Sequence, residues 1–214
     1  MSFSYICSLG SNCHCAYYLK LHKMKMTSYP FDWVDIKNEK NVLHCLKDDF
    51  NIFMDKSYYQ PFEAGKRRHK YYSYKFFNHK DPMQEEDYNY YLRCITRFKE
   101  MIVADEKKLF ILGFFNLESI SEDRRQELLD FSKELSMFAS NYTLLVILHR
   151  TGAEIKHSVS NVDNVCFLEL TTLTPSNGLL FKMREENDYL EKVINGLFKF
   201  DLKKYHDSSN KRSS

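Results

Sequence analysis

The sequence predicts an α/β fold: a mostly parallel, Rossmann-like, doubly wound sheet with flanking helices and an aromatic-rich insertion after the first helix. Three observations carry this. Short continuous apolar runs recur along the chain, each suited to a strand buried on both faces. Segments with apolar residues at spacings of three and four stand between them and read as amphipathic helices. The resulting alternation of strand and helix is the signature of a parallel sheet.

Taken in order, Phe3 to Ser8 reads as the first buried strand and Asn12 to about His22 as a helix. "TSYPFDWVDI" is proline-marked and aromatic, hence a loop packed onto the body. Asn41 to Lys47 reads as a short helix. Residues 58 to 77 are dense in Tyr, Phe and Lys, with the basic knot "KRRHK" at 66 to 70 and a strand or hairpin arm in "KYYSYKFF". After Pro82, the stripe Tyr88, Tyr91, Ile95, Phe98 and Ile102 marks a helix. "KLFILGFF" (108 to 115) is a second buried strand. Ser121, followed by Glu122 and Asp123, supplies an N-cap and an acidic first turn. The helix it opens buries Leu128, Phe131, Leu135 and Phe138. "TLLVIL" (143 to 148) and "VCFLEL" (165 to 170) are further strands. A last helix from about Glu185 to Phe198 turns Leu190, Val193, Ile194 and Leu197 inward. One domain over 1–205 is expected, with 50–80 as an insertion or lid and 206–214 as a disordered tail.

Composition narrows the function classes. A chain of 214 residues with net charge +2 is too mildly basic to argue for nucleic acid, and no window reaches 18 consecutive apolar residues. With no recognisable export signal, the six Cys read as thiols and the expected location is cytoplasmic. No P-loop, GxGxxG, HExxH or GxSxG occurs. Only 6 Gly are present, so a glycine directly after the first strand draws notice.

That glycine opens "SLGSNCHCAYYL" (8 to 19). In open parallel sheets ligands bind beyond the carboxyl ends of strands, where loops enter helices. Gly10 permits a tight turn there. The amides of Ser11, Asn12 and Cys13 lie near the positive end of a helix, which stabilises a thiolate and can hold an oxyanion. Cys13 is therefore a candidate nucleophile, against the plain alternative of a buried thiol. Cys15, two residues on, faces elsewhere and reads as packing. Cys13-x-Cys15 is not a zinc spacing and has no second pair downstream, so neither metal nor cofactor is expected.

A nucleophilic Cys needs a His within hydrogen-bond reach. Two of the eight His fit: His79, in "FFNHKDP", and His149, which ends a buried strand in "VILHRTG". The residues alone leave both open, and Asp81 before Pro82 suits an N-cap equally well. Arg93 and Arg97, one helical turn apart, could bind an anionic group.

The opening stretch resembles a bacterial and viral family of unknown function described as papain-like cysteine peptidases. Its members begin with a strand and an S-L-G-x-x-C-x-x-A block, followed by an amphipathic helix and a P-F-D-W signature. Cys13 and Ala16 fit the block, and Pro30 to Trp33 fit the signature. "FFNHKDP" resembles the family's aromatic-x-His-Asp element and "YLRCITRF" its Arg-bearing helix. The resemblance implies Cys13 as nucleophile, His79 as base and Asp81 or Asp32 as orienter, with Trp33 of the signature as a substrate-binding residue. It implies hydrolysis of a peptide or other acyl substrate. The strand–helix layout is closer to Rossmann-like or GDSL-type hydrolases than to papain, whose nucleophile lies on a central helix. An esterase or acyltransferase, or a non-catalytic protein- or anion-binding module using the basic aromatic insertion, is the alternative.

Overall fold

Chain order runs β1 (Tyr5–Ser8), α1 (His14–Leu21), α2 (Lys40–Lys47), α3 (Asn51–Met54), β2 (Tyr59–Pro61), β3 (Arg67–His69), β4 (Ser73–Phe77), α4 (Glu85–Val103), β5 (Lys108–Phe114), α5 (Glu122–Leu135), β6 (Tyr142–Thr151), β7 (Lys156–Val162), β8 (Val165–Thr172) and α6 (Arg184–Leu197). The computed structural model describes residues 2–36, 38–63, 66–77 and 79–203, with the backbone alone at 73–75. The tail expected from 206 lies outside them.

The apolar runs form one five-stranded sheet in the order β1-β5-β6-β8-β7. All neighbours are parallel except β7, which pairs antiparallel with β8. Side chains alternate along each strand. Cys7, Phe110, Leu112, Leu144, Val146 and Phe167 enter one core with α2 to α5. Ile6, Leu109, Ile111, Leu145, Ile147 and Leu168 enter another with α1 and α6. Both faces are covered, which is why these strands read as unbroken apolar runs. The expected Rossmann-like, mostly parallel sheet with flanking helices is present.

After α1 the aromatic residues build the first core outward. β2, β3 and β4 form a small antiparallel sheet. The fully buried Phe53 lies at the centre, with the rings of Phe31, Phe76, Phe77 and Tyr91 at 5.3 to 6.4 Å. Edge-to-face contacts of this kind add to the burial term.

Some details differ from the sequence reading. α5 ends at Leu135, so Phe138 falls in the turn beyond it and is half-buried. Leu197, the last residue of α6, is 38% exposed where an inward position was expected. β7 was not anticipated, because "KHSVSNV" is an exposed edge strand without an apolar face. Lys108, which opens β5, is fully buried. Its Nζ donates to the carbonyls of Ala104, Glu106 (3.1 Å) and Ser140 (2.8 Å), satisfying backbone acceptors at the buried strand entrance.

Candidate active site

The site begins where β1 ends. Gly10 has φ +93° and Ser11 φ +81°, both in the left-handed region that reverses the chain. A Cβ on Gly10 would lie 3.2 Å from Ile36 Cβ, so the loop at 31–36 packs directly on the turn. Ser11, without glycine's freedom, holds a sparsely populated conformation two residues before Cys13. Cys13 is the N-cap residue of α1, and the Asn12 Oδ1 accepts the His14 N–H (3.0 Å).

A second loop brings the imidazole. Val34 forms an antiparallel bridge with Phe77, and the Asp35 N–H donates to Phe76 O (3.0 Å). Trp33 and His79 thereby flank the same bridge. Their rings meet edge-on at 5.5 Å and 71°. His79 Nε2 lies 3.3 Å from Cys13 Sγ, across 66 positions of sequence. Asp81, two residues beyond His79, accepts from Arg67 Nε (2.8 Å) and Nη2 (2.9 Å) and from the Met83 N–H (3.0 Å).

The electrostatics describe a neutral pair. Burial pushes the Cys13 thiol up to about 12, with Asp35 and Asp32 raising it further against Lys66. This is opposite to the lowered thiol expected from helix position alone. Burial first, then Lys66, lowers His79 below 6.5. At neutral pH the arrangement is a thiol beside a neutral imidazole that can accept its proton.

The other candidates are placed as follows. Asp32 is 1% exposed and pairs with Lys25, while its Oδ2 accepts the Tyr29 N–H (2.7 Å). Neither Asp32 nor Asp81 hydrogen-bonds His79 among the described residues; each carboxylate holds its own loop. His149 is fully buried, with Nδ1 accepting the Asn116 N–H (3.1 Å) and Nε2 facing Thr172 Oγ1 (2.7 Å). Its two nitrogens are thus occupied away from Cys13, and burial lowers it to about 4. Arg93 is exposed on α4, and Arg97 lines the cleft described next.

The sequence reading did not anticipate the roles of His14 and Ser176. His14 is 1% exposed, stacks on Phe115 at 4.0 Å and bonds Ser176 Oγ at 2.7 Å. It pins the first turn of α1 to the loop after β8. Cys15 is buried against Gly113, where an added Cβ would meet its Sγ at 2.6 Å.

His79 and Trp33 form part of the wall of a cleft of about 770 Å³ that Lys20, Lys25, Lys80 and Arg97 also line. Among the described residues no helix is long and apolar enough to cross a membrane, and no group of three or more His, Cys, Asp or Glu could hold a metal ion.

A cysteine at a strand-to-helix turn, in contact with a histidine from a distant loop, makes this an α/β protein with a cysteine–histidine site. The chain belongs to the family described as "Putative papain-like cysteine peptidase (DUF1796)", whose model matches residues 4–152 and so spans both members of the pair. It is also similar to an uncharacterized protein of Acanthamoeba polyphaga mimivirus, with 27% identity over 171 residues, covering 66% of this chain and 74% of that protein. No solved structure matches it significantly.

Proposed function

We propose that the protein is a thiol-dependent hydrolase of peptidase type, with Cys13 as nucleophile and His79 as general base. The observation that carries the reading is the 3.3 Å approach of Cys13 Sγ and His79 Nε2 at the carboxyl end of a parallel strand. The family description agrees with it.

In this reading the thiol is neutral at rest and loses its proton to His79 as sulfur attacks the acyl carbon. An S–C bond forms, and the carbonyl oxygen becomes an oxyanion. The Cys13 amide and the Asn12 amide NH₂, whose oxygen is already tethered to His14, are its donors. Protonated His79 then gives its proton to the leaving amine as the C–N bond breaks. Water, deprotonated by His79, cleaves the thioester, and the proton returns to sulfur. Trp33 shields the imidazole from bulk water on one side.

An esterase or acyltransferase would use the same nucleophile on another electrophile. The non-catalytic reading draws on the raised thiol, but three residues of the basic knot it relied on are engaged internally. Arg67 binds Asp81, His69 bonds Ile52 O (3.0 Å) and Lys70 donates to Ser57 O (2.9 Å). The test is hydrolysis of a diverse peptide pool, read by mass spectrometry. Cys13→Ser is expected to lower cleavage roughly 10³-fold or more while Cys15→Ser keeps it. Equal cleavage by wild type and Cys13→Ser overturns the reading.

A further inference from the structure

The cleft beside the pair has an uneven charge. Lys20, Lys25, Lys80 and Arg97 line it, and among the described residues no carboxylate does. Lys25 and Lys80 are held from outside the lining, by the buried Asp32 and by Asp87. Lys20 is exposed and has no ion-pair partner among the described residues. The position of Lys20 follows from helix geometry. Cys13, Tyr17 and Lys20 are spaced four and three apart, so they share one face of α1, and Tyr17 and Lys20 both line the cleft. Seven residues of helix separate Cys13 and Lys20 by about 10 Å along the axis.

The remaining walls repeat the pattern. Tyr90 and Arg97, seven apart on α4, also line it, and Lys80 Nζ lies 4.6 Å from the Tyr90 ring. Lys25 Nζ is 5.7 Å from the Trp33 ring, which itself touches His79. Cations and aromatic rings thus line the cleft together beside His79. An extended peptide advances about 3.4 Å per residue, so a path of about 10 Å accommodates two to three residues.

We propose that this cleft selects an acidic peptide, reading a carboxylate two to three residues from the acyl carbon that Cys13 attacks. The inference rests on the nucleophilic reading of Cys13. Focused positive potential in a low-dielectric cleft raises the local concentration of an anionic segment and orients it. Lys20, the lining lysine without an ion pair among the described residues, also disfavours a basic segment in the same place.

The test uses three tripeptide chloromethyl ketones that carry two glutamates, two glutamines or two lysines before a final alanine. Each alkylates sulfur with loss of chloride, and fragment-ion mass spectrometry separates labelling at Cys13 from that at Cys15. The acidic probe is expected to label Cys13 with kinact/KI about tenfold above the basic one, a gap that narrows at high salt. Lys20→Glu should shrink that ratio about threefold or more, by slowing the acidic probe relative to the neutral one. Equal rates for the three probes, with labelling still dependent on His79, overturn the charge preference and leave the nucleophile standing. A Cys13 inert to all three in the folded protein overturns both.

Discussion

Arg67 on β3 grips Asp81 through two nearly parallel hydrogen bonds, 2.8 and 2.9 Å long, and so anchors the loop that carries His79. The hydrogen bonds from Arg67 hold the Asp81 carboxyl below its ordinary value. Behind it, Asp87 of α4 accepts from the Asp81 N–H (2.8 Å) and from Lys80 Nζ (2.6 Å). His79 is therefore positioned through backbone held at both ends, by the Val34–Phe77 bridge and by this clamp.

Loosening that clamp is expected to lower reactivity without unfolding the protein. Asp81→Ala should reduce the labelling rate of Cys13 by about tenfold to a hundredfold, since small misplacements of a base are costly. Asp81→Glu should restore part of it. Labelling at the wild-type rate in Asp81→Ala would remove Asp81 and Arg67 from the account.

The second prediction concerns acid stability. Burial lowers His14 to about 3 and His149 to about 4. Both folded values lie below 6.5, so the unfolded chain takes up protons first as pH falls. Stability is then full above 6.5 and declines towards pH 4, by about 1.4 kcal/mol per pH unit for each group. Denaturant melts between pH 7.5 and 4.5 should show this slope. His149→Gln should flatten it; an unchanged slope would contradict the burial argument.

The third prediction concerns Lys108. Three backbone carbonyls converge on its Nζ inside the protein. Lys108→Met fills similar volume but leaves them unsatisfied and should cost about 2–3 kcal/mol in urea unfolding. A change within about 0.5 kcal/mol, the range of an ordinary surface substitution, would show that the carbonyls find other partners.

Much of the fold was legible because burial on two faces leaves a one-dimensional trace. "KLFILGFF" and "TLLVIL" could scarcely be anything but interior strands, and the stripe from Tyr91 to Ile102 marks α4. β7 left no trace because an exposed edge strand needs no apolar alternation. The site was less legible. Gly10 announced the turn, and the choice of His79 over His149 came from the family resemblance, not from spacing. What separates the two histidines is the Val34–Phe77 bridge, a contact 43 positions long that no local pattern encodes. The raised thiol has the same origin, since the burial that raises it, and the Asp35 charge that adds to it, arise only once the chain is folded.

The pH dependence of iodoacetamide labelling at Cys13, in wild type and His79→Ala, tests the central claim most directly. A neutral thiol served by a neutral imidazole predicts a rate that falls as acid protonates His79 below pH 6.5. It also predicts a loss on the order of 10²-fold in His79→Ala at pH 7, with the buried Cys15 inert throughout. Equal rates in the two proteins across that range would contradict it and leave Cys13 a packed thiol beside an unrelated ring.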